Sequence, residues 1–344
     1  MSQTSEPLVS ELRDTHISLA HGNGGRLMHE LIERVFVDLL HNPLLDTSAD
    51  AVCLSVPDGQ DLVVTTDGFT VRPLEFPGGT IGSLAVHGAV NDLAVCGAIP
   101  RYLTLSVFLE EGLAISMLRR IVASLARAAD ECGVLVVAGD TKVVGRGECD
   151  GMYLSTTGIG FKPAGRRIAL DLVRAGDHLL VSGPVGDHGA AVLLARNEFG
   201  LRSDLKSDAG SVLPHAQSLL GQGGLRFMRD PTRGGLATVA HEIARATGLC
   251  VRLSEAAIPV NDAVQSVCEI LGFDPLYLAC EGCLVAVVSA EGSAAALKAL
   301  QSVAPRASVV GRITDGPPQV VLETAFGGRR LLDELEDDPL PRIC

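Results

Sequence analysis

The sequence predicts an α/β or α+β chain folded as two domains and closed by a flexible acidic tail. Three observations carry that expectation. Apolar runs with a period near two alternate with runs of period 3.6 along nearly the whole chain. The length of 344 residues, 47% of them hydrophobic, exceeds one ordinary core and suits two. The stretch Lys162-Pro163-Ala164-Gly165 breaks the pattern near the middle. The expected division is an N-terminal extension over 1–15, domains over 16–164 and 165–326, and a tail over 327–344. With 3% aromatic residues and no Trp, both cores must be built from Val, Leu, Ile and Ala.

The first element is a glycine-rich turn, His21-Gly22-Asn23-Gly24-Gly25. It precedes an amphipathic helix with Leu27, Leu31, Val35 and Leu39 on its apolar side and Glu30, Arg34 and Asp38 opposite. Residues 52–56 and 62–66 flank Pro57-Asp58-Gly59-Gln60 and read as a hairpin. A helix of small residues spans 80–96 and stops at Gly97. Strand 102–108, a helix through Ile115, Leu118, Val122 and Leu125 ended by Gly133, and strands 134–137 and 152–159 complete the first half. The second half repeats the mixture: strand 178–182, helices 189–197 and 237–247, strand 250–253 and helix 263–271. Strand 284–289, helix 293–303 and strands 308–313 and 319–323 finish it.

Net charge of −13 argues against non-specific binding of nucleic acid or anionic membrane. A polyanionic substrate would need a cation as intermediary. No apolar run approaches the ~20 residues of a membrane span, and residues 1–15 hold no signal-peptide core, so a soluble, cytoplasmic protein is expected. The nine cysteines are irregularly spaced, as reduced thiols would be.

Several aspartates stand beside glycine or at the rim of an apolar run. Asp50 precedes the first strand pair, Asp67-Gly68 ends Val63-Val64-Thr65-Thr66, and Asp92 follows Asn91 on the small-residue helix. Asp140 lies in Gly139-Asp140-Thr141-Lys142, read as a loop after a strand, and Asp230 opens Asp230-Pro231-Thr232-Arg233-Gly234-Gly235. Carboxylates gathered from strand ends repel one another unless a hard cation sits between them, and Mg2+ shared with phosphate oxygens is the usual answer. The backbone N–H groups around Gly24 and Gly25 can face a phosphate, with Lys142 and Arg233 supplying positive charge. The turn is not a Walker A pattern, lacking its Gly-Lys-Ser/Thr ending. His87 and Asn91, four apart on one helix, fit either a site or a satisfied core.

The chain stops at Pro341-Arg342-Ile343-Cys344. The preceding run Asp333-Glu334-Leu335-Glu336-Asp337-Asp338 is acidic enough to stay solvated. The 16 residues after Gly328 could extend about 50–55 Å, far enough for one sulfur to visit two proteins. A disordered tail with an incidental cysteine is the plain alternative.

Those motifs in that order resemble the HypE family, the carbamoyl dehydratases of nickel–iron hydrogenase maturation. The likeness rests on His21–Gly25, Thr65-Thr66-Asp67-Gly68, Phe76-Pro77-Gly78-Gly79, Asn91-Asp92-Leu93-Ala94, Gly139–Val143, Asp230–Gly235, Ala279–Gly282 and Pro341–Cys344. It implies the two-domain fold of aminoimidazole ribonucleotide synthetase, selenophosphate synthetase and thiamine-monophosphate kinase. The N-terminal domain would dimerise through its sheet, with ATP in a groove of the homodimer. It further implies Mg2+ ligands at Asp50, Asp67, Asp92 and Asp230, and phosphate contacts at Asn91, Gly139, Asp140 and Thr141. Glu281, Lys142 and His87 would stand near the reacting Cys344. The transferase HypF would place a carbamoyl group on that cysteine, ATP would drive its dehydration to a thiocyanate, and a HypC–HypD complex would accept the cyanide.

One departure is Cys280-Glu281-Gly282-Cys283, where Asn before the Glu and a basic residue after the Gly are expected. No second C-x-x-C supplies zinc ligands and an apolar strand comes next, so packed thiols are the expectation. Three other readings stay open: a related small-molecule kinase or synthetase, a non-catalytic nucleotide-binding assembly protein, and a C-x-x-C metal or redox protein.

Overall fold

The computed structural model describes residues 14–337 and 340–344. Helix α1 (Arg26–Leu31) runs through a π-helical turn (Ile32–Val37) into α2 (Asp38–Leu40), which makes one wide-turned helix of the expected apolar stripe. The first domain then comprises β1 (Gln60–Phe69), the short pair β2 (Glu75–Phe76) and β3 (Gly79–Thr80), α3 (Ile81–Val95), β4 (Ile99–Glu110), α4 (Ile115–Cys132), β5 (Leu135–Val144) and β6 (Met152–Pro163). Its four-stranded sheet has the order β1-β6-β4-β5, antiparallel except for the β4–β5 pair.

Helix α3 occupies the centre of the molecule. The Thr80 hydroxyl caps it, accepting from the N–H groups of Gly82 and Ser83 at 3.1 and 3.2 Å. Every residue in it except Asp92 is buried. Small side chains permit this: a Cβ on Gly82 would lie 2.4 Å from the Ile121 carbonyl oxygen of α4. Gly133, at φ +67°, ends α4 in the left-handed conformation its sequence position anticipates. These helices cover one face of the sheet. The other face is open and apolar, with Leu62, Val64, Phe108 and Leu135 exposed and Tyr102 and Ile159 between them in the register.

The second domain comprises β7 (His178–Val181), α5 (Asp187–Ala195), α6 (Leu213–Leu220), β8 (Leu225–Arg229), α7 (Gly235–Thr247), β9 (Cys250–Ser254), α8 (Asp262–Leu271), β10 (Val285–Val288), α9 (Ser293–Gln301), β11 (Ser308–Thr314), β12 (Val320–Glu323) and β13 (Arg329–Leu332). The sheet runs β13-β12-β9-β11-β7-β10-β8. One face packs on α7 through Leu236, Val239 and Ile243, the other on α6 and α9 through Ala216, Leu219 and Leu300.

Four expectations need correction. Residues 52–56 form no strand, because β1 takes the distant β6 as partner and leaves that stretch without a buried face. Gly139-Asp140-Thr141-Lys142 is the middle of edge strand β5 and not a loop, since β4 pairs with it in parallel from Tyr102 to Glu110. The tail cannot begin at 327, because β13 pairs with β12 and closes the sheet. The segment after β13 is also held: the Asp333 carbonyl accepts from Tyr277 Oη at 2.6 Å, and Glu334 pairs with Arg245. Of the expected N-terminal extension, 1–13 lie outside the described residues, as do Asp338 and Pro339 of the tail.

Candidate functional site

The end of β1, the middle of α3 and two loops of the second domain converge on a group of acids. Strand alternation turns Thr65, Asp67 and Phe69 toward α3, where the Thr65 hydroxyl donates to Asp92 at 2.5 Å. A Cβ on Gly88 would meet the Phe69 ring at 2.8 Å and Asp67 Oδ2 at 3.4 Å, so glycine is what lets the carboxylate approach the helix. Asp230 leaves β8 beside them, and Glu281 comes from the loop before β10. Burial, then the Asp92 charge, raises Asp67 to about 6, with Arg233 opposing. Burial and Asp92 raise Asp230 to about 7. Glu281 is pushed well above the usual range by burial and by Asp230, Asp208 and Asp67. Its Oε1 is buried without a hydrogen-bond partner.

Mutual repulsion among these acids and an orphaned carboxyl oxygen suit a hard cation between them. Among the described residues no group of three or more His, Cys, Asp or Glu side chains is placed to hold a metal ion by itself. The oxygen donors of Asp67, Asp92 and Asp230 nonetheless fit Mg2+, which takes one or two carboxylates and fills its shell with water and phosphate. Asp50 is not brought to this group: it is exposed in the coil before β1.

The loop that carries Glu281 is held from behind by a strap the sequence did not reveal. The buried Asp208 carboxylate accepts from the N–H groups of Glu281 (3.1 Å) and Gly282 (3.0 Å). Asn91 braces the same strap. Its Nδ2 donates to the carbonyls of Gly210 (3.0 Å) and Glu281 (3.2 Å), and its Oδ1 accepts from Val212 N–H (2.8 Å). With both amide hydrogens engaged and the residue 1% exposed, Asn91 is a clamp and has no donor left for phosphate. His87, one turn earlier, is buried with its Nδ1 unpartnered, and burial lowers it to about 4. It is a neutral imidazole at physiological pH. Cys280 and Cys283 are both buried; their mutual hydrogen bond, then burial, pushes the Cys280 thiol well up, while the same bond lowers Cys283.

A second constellation lies at the opposite edge of the sheet. The glycine turn packs on β5, where a Cβ on Gly22 would meet Val143 at 2.9 Å. Gly24 is in the left-handed region at φ +78°, and Gly25 N–H donates to Asn23 Oδ1 at 2.9 Å. Between the first helix and strands β4 and β5 is a half-open cavity of about 100 Å3 lined by Met28, Ile32, Thr47, Gly139, Asp140 and Thr141. Lys142 pairs with Asp140 at 2.8 Å on the open sheet face. Three strand spacings, roughly 14 Å at 4.7–4.9 Å each, separate β5 from β1. Within one chain, Lys142 and Asp67 therefore occupy opposite edges and opposite faces.

The chain's end returns to the first constellation. Leu340 and Ile343 are buried, and Cys344 packs against the first domain's core. A Cys344 main-chain carboxylate oxygen accepts from the Thr70 N–H (3.0 Å) and hydroxyl (3.2 Å), three residues past Asp67 on the same segment. His188, Arg196 and Thr70, which make this seat, carried no recognisable motif.

Comparison with known proteins agrees with the two-domain fold. Residues 48–161 match the N-terminal domain, and residues 174–323 the C-terminal domain, of AIR synthase related proteins. The carbamoyl dehydratase HypE of Rhodobacter capsulatus is 48% identical over 340 residues, covering 97% of this chain and 99% of that protein. The chain belongs to the HypE family. A crystal structure of HypE in complex with ATP superposes with a TM-score of 0.90 at 44% identity, covering 95% of this chain and 99% of that one. HypE in a HypE–HypF complex matches with a TM-score of 0.77 at 39% identity, covering 90% and 100%. Among the described residues no helix is long and apolar enough to cross a membrane.

Proposed function

We propose that this chain is an ATP-dependent carbamoyl dehydratase acting on its own Cys344, and that its product supplies the cyanide ligand of a nickel–iron hydrogenase. The observation that carries the reading is the seating of Cys344 at Thr70, three residues past Asp67 on the same segment, in a chain 48% identical to a carbamoyl dehydratase. A carbamoyl group on the sulfur, S–C(=O)NH2, has a poor leaving group in its oxygen. Transfer of the ATP γ-phosphoryl to that oxygen lets it depart as phosphate. The two nitrogen protons leave with it, one to Glu281 and one on the phosphate, and S–C≡N remains. Burial makes Glu281 a strong base only in its ionised form, which a cation among the neighbouring acids would favour over the neutral acid. Mg2+ held by Asp67, Asp92 and Asp230 would screen the phosphates.

The open apolar sheet face supports a homodimer. A second copy stacked there would bring one chain's Asp140, Thr141, Lys142 and glycine turn to the nucleotide and the other chain's acids to its phosphates. The cavity beside Met28 and Ile32 suits the adenine ring. HypF would load the cysteine, a HypC–HypD complex would take the cyanide, and the setting is the cytoplasm. Deleting residues 341–344 tests the reading. ATP turnover with HypF and a carbamoyl donor should fall to background, whereas turnover sustained by a small-molecule substrate would mark a kinase or synthetase of the same fold.

A further inference from the structure

Besides the burial of Ile343, the seat of the last four residues includes a series of hydrogen bonds to their backbone. Arg196 Nη2 donates to the carbonyls of Pro341 (2.6 Å) and Arg342 (2.8 Å), while its Nε donates to Arg72 O (3.0 Å). Arg72 N–H adds a 3.3 Å bond to Arg342 O, and Thr70 holds Cys344 O. Arg342 adopts φ +57° and pairs with Asp150. The remaining carbonyl, that of Ile343, is bound by His188 Nε2 at 2.7 Å.

His188 is 0% exposed, sits edge-on to Phe76 at 5.4 Å, and is lowered by burial to about 4. Its tautomer is fixed by its neighbours. Ser207 Oγ accepts from Ala209 N–H at 2.9 Å and lies 2.8 Å from His188 Nδ1, so the hydroxyl proton points at Nδ1. Nε2 must then carry the imidazole hydrogen and donate it to Ile343 O. The next residue in the strap is Asp208, whose carboxylate holds the Glu281 and Gly282 N–H groups. The strap itself is pinned by Ser207 N–H to Pro77 O at 2.8 Å, and Gly78 permits this because a Cβ there would lie 2.7 Å from Ser207 O.

We propose that His188 and Ser207 are positioning residues for the reaction. His188, on α5, grips the Ile343 carbonyl and is braced by Ser207 of the strap that also holds the Glu281 loop, so the pair fixes the register of Cys344 relative to that base. The His188 grip is on a main-chain carbonyl, so that bond does not itself depend on whether the sulfur is bare, carbamoylated or cyanated, and it can let go when the product is handed on. The catalytic part of this inference rests on the dehydratase reading; the grip does not.

Two readouts separate them. The first is site-resolved alkylation of Cys344 by iodoacetamide in the full-length protein, read by peptide mass spectrometry with exposed Cys53 and Cys96 as internal references. The second is single-turnover dehydration of protein already carbamoylated by HypF. Losing one buried hydrogen bond of about 1–1.5 kcal/mol corresponds to roughly a tenfold change. His188→Ala should therefore alkylate Cys344 about tenfold faster and dehydrate about tenfold or more slowly, with carbamoyl loading and the reference cysteines unchanged. His188→Gln, which keeps a donor, should restore both, and Ser207→Ala should fall between. Unchanged Cys344 alkylation and dehydration in His188→Ala and Ser207→Ala overturns the proposal. So does a parallel loss of loading, dehydration and thermal stability in Ser207→Ala, which would mark a structural residue. Faster alkylation in a protein whose wild type makes no nitrile would uphold the grip and sink the dehydratase reading.

Discussion

Gly282→Ala tests the strap behind Glu281 with a single methyl group. The glycine has no need of a left-handed backbone, so the effect is steric alone. The added Cβ would lie 1.9 Å from Asp208 O, 2.9 Å from Asp208 C and 3.3 Å from Gly210 N. Restoring an ordinary contact of about 3.4 Å requires the loop and strap to part by roughly 1.5 Å. The bonds that join them are 3.0–3.1 Å from Glu281 and Gly282 N–H to Asp208 and 3.3 Å from Gly210 N–H to Glu281 O. None survives such a shift. Stranding two or three buried groups at about 1–1.5 kcal/mol each gives an expected loss of about 2–4 kcal/mol. Urea denaturation reads that loss. ATP-dependent dehydration should fall about a hundredfold or more, since a misplacement near 1 Å is enough for that. Gly221→Ala, where a Cβ meets nothing within 4 Å, is the control. Gly282→Ala with stability within about 0.5 kcal/mol of wild type and full turnover would refute the reasoning from that contact.

Single sites give the other predictions. Lys142→Ala should abolish dehydration while leaving the melting temperature unchanged, because its pair with Asp140 is solvent-exposed and such pairs are worth about 0–1 kcal/mol. Asp230 holds its proton up to about pH 7 in the fold but releases it near 3.8 when unfolded. Its ionisation therefore costs stability as pH rises from about 4 to 7, reaching roughly 4 kcal/mol above that window by linkage. Asp230→Asn, with a chelator present, should match wild type near pH 4, exceed it in stability near pH 8, and be inactive; pH-resolved thermal melts decide. Val64→Arg on the open sheet face should yield monomers by analytical ultracentrifugation and lose ATP turnover, since that residue is 57% exposed in the single chain.

Local patterns carried much of the architecture. Thr80, Gly133 and the apolar stripe of α4 announce their helices because caps and periodicity are properties of neighbouring residues. Asp67 and Asp230 were legible as candidate site residues from their places at strand ends, Asp92 from its place after Asn91 on the small-residue helix, and Glu281 only through the family resemblance. Residues 52–56 alternate like a strand, but alternation cannot say whether a partner exists. The Asp140 segment reads as a loop from its Gly-Asp-Thr run, and only parallel pairing with β4 makes it a strand. In the sequence Asn91 looks available to phosphate because its three backbone partners lie 119 to 190 residues away. The tail's charge hides its seat, which depends on Leu340 and Ile343 and on His188, 155 residues before the carbonyl it holds.

The most direct measurement is intact-protein mass spectrometry of wild type and Cys344→Ser after incubation with HypF, a carbamoyl donor and Mg-ATP. The wild type should gain one carbamoyl group, located at Cys344, which then loses the mass of a water molecule in step with ATP hydrolysis, while the variant shows neither change. A dehydrated adduct on any other residue, or nitrile formed at the normal rate by Cys344→Ser, would contradict the account.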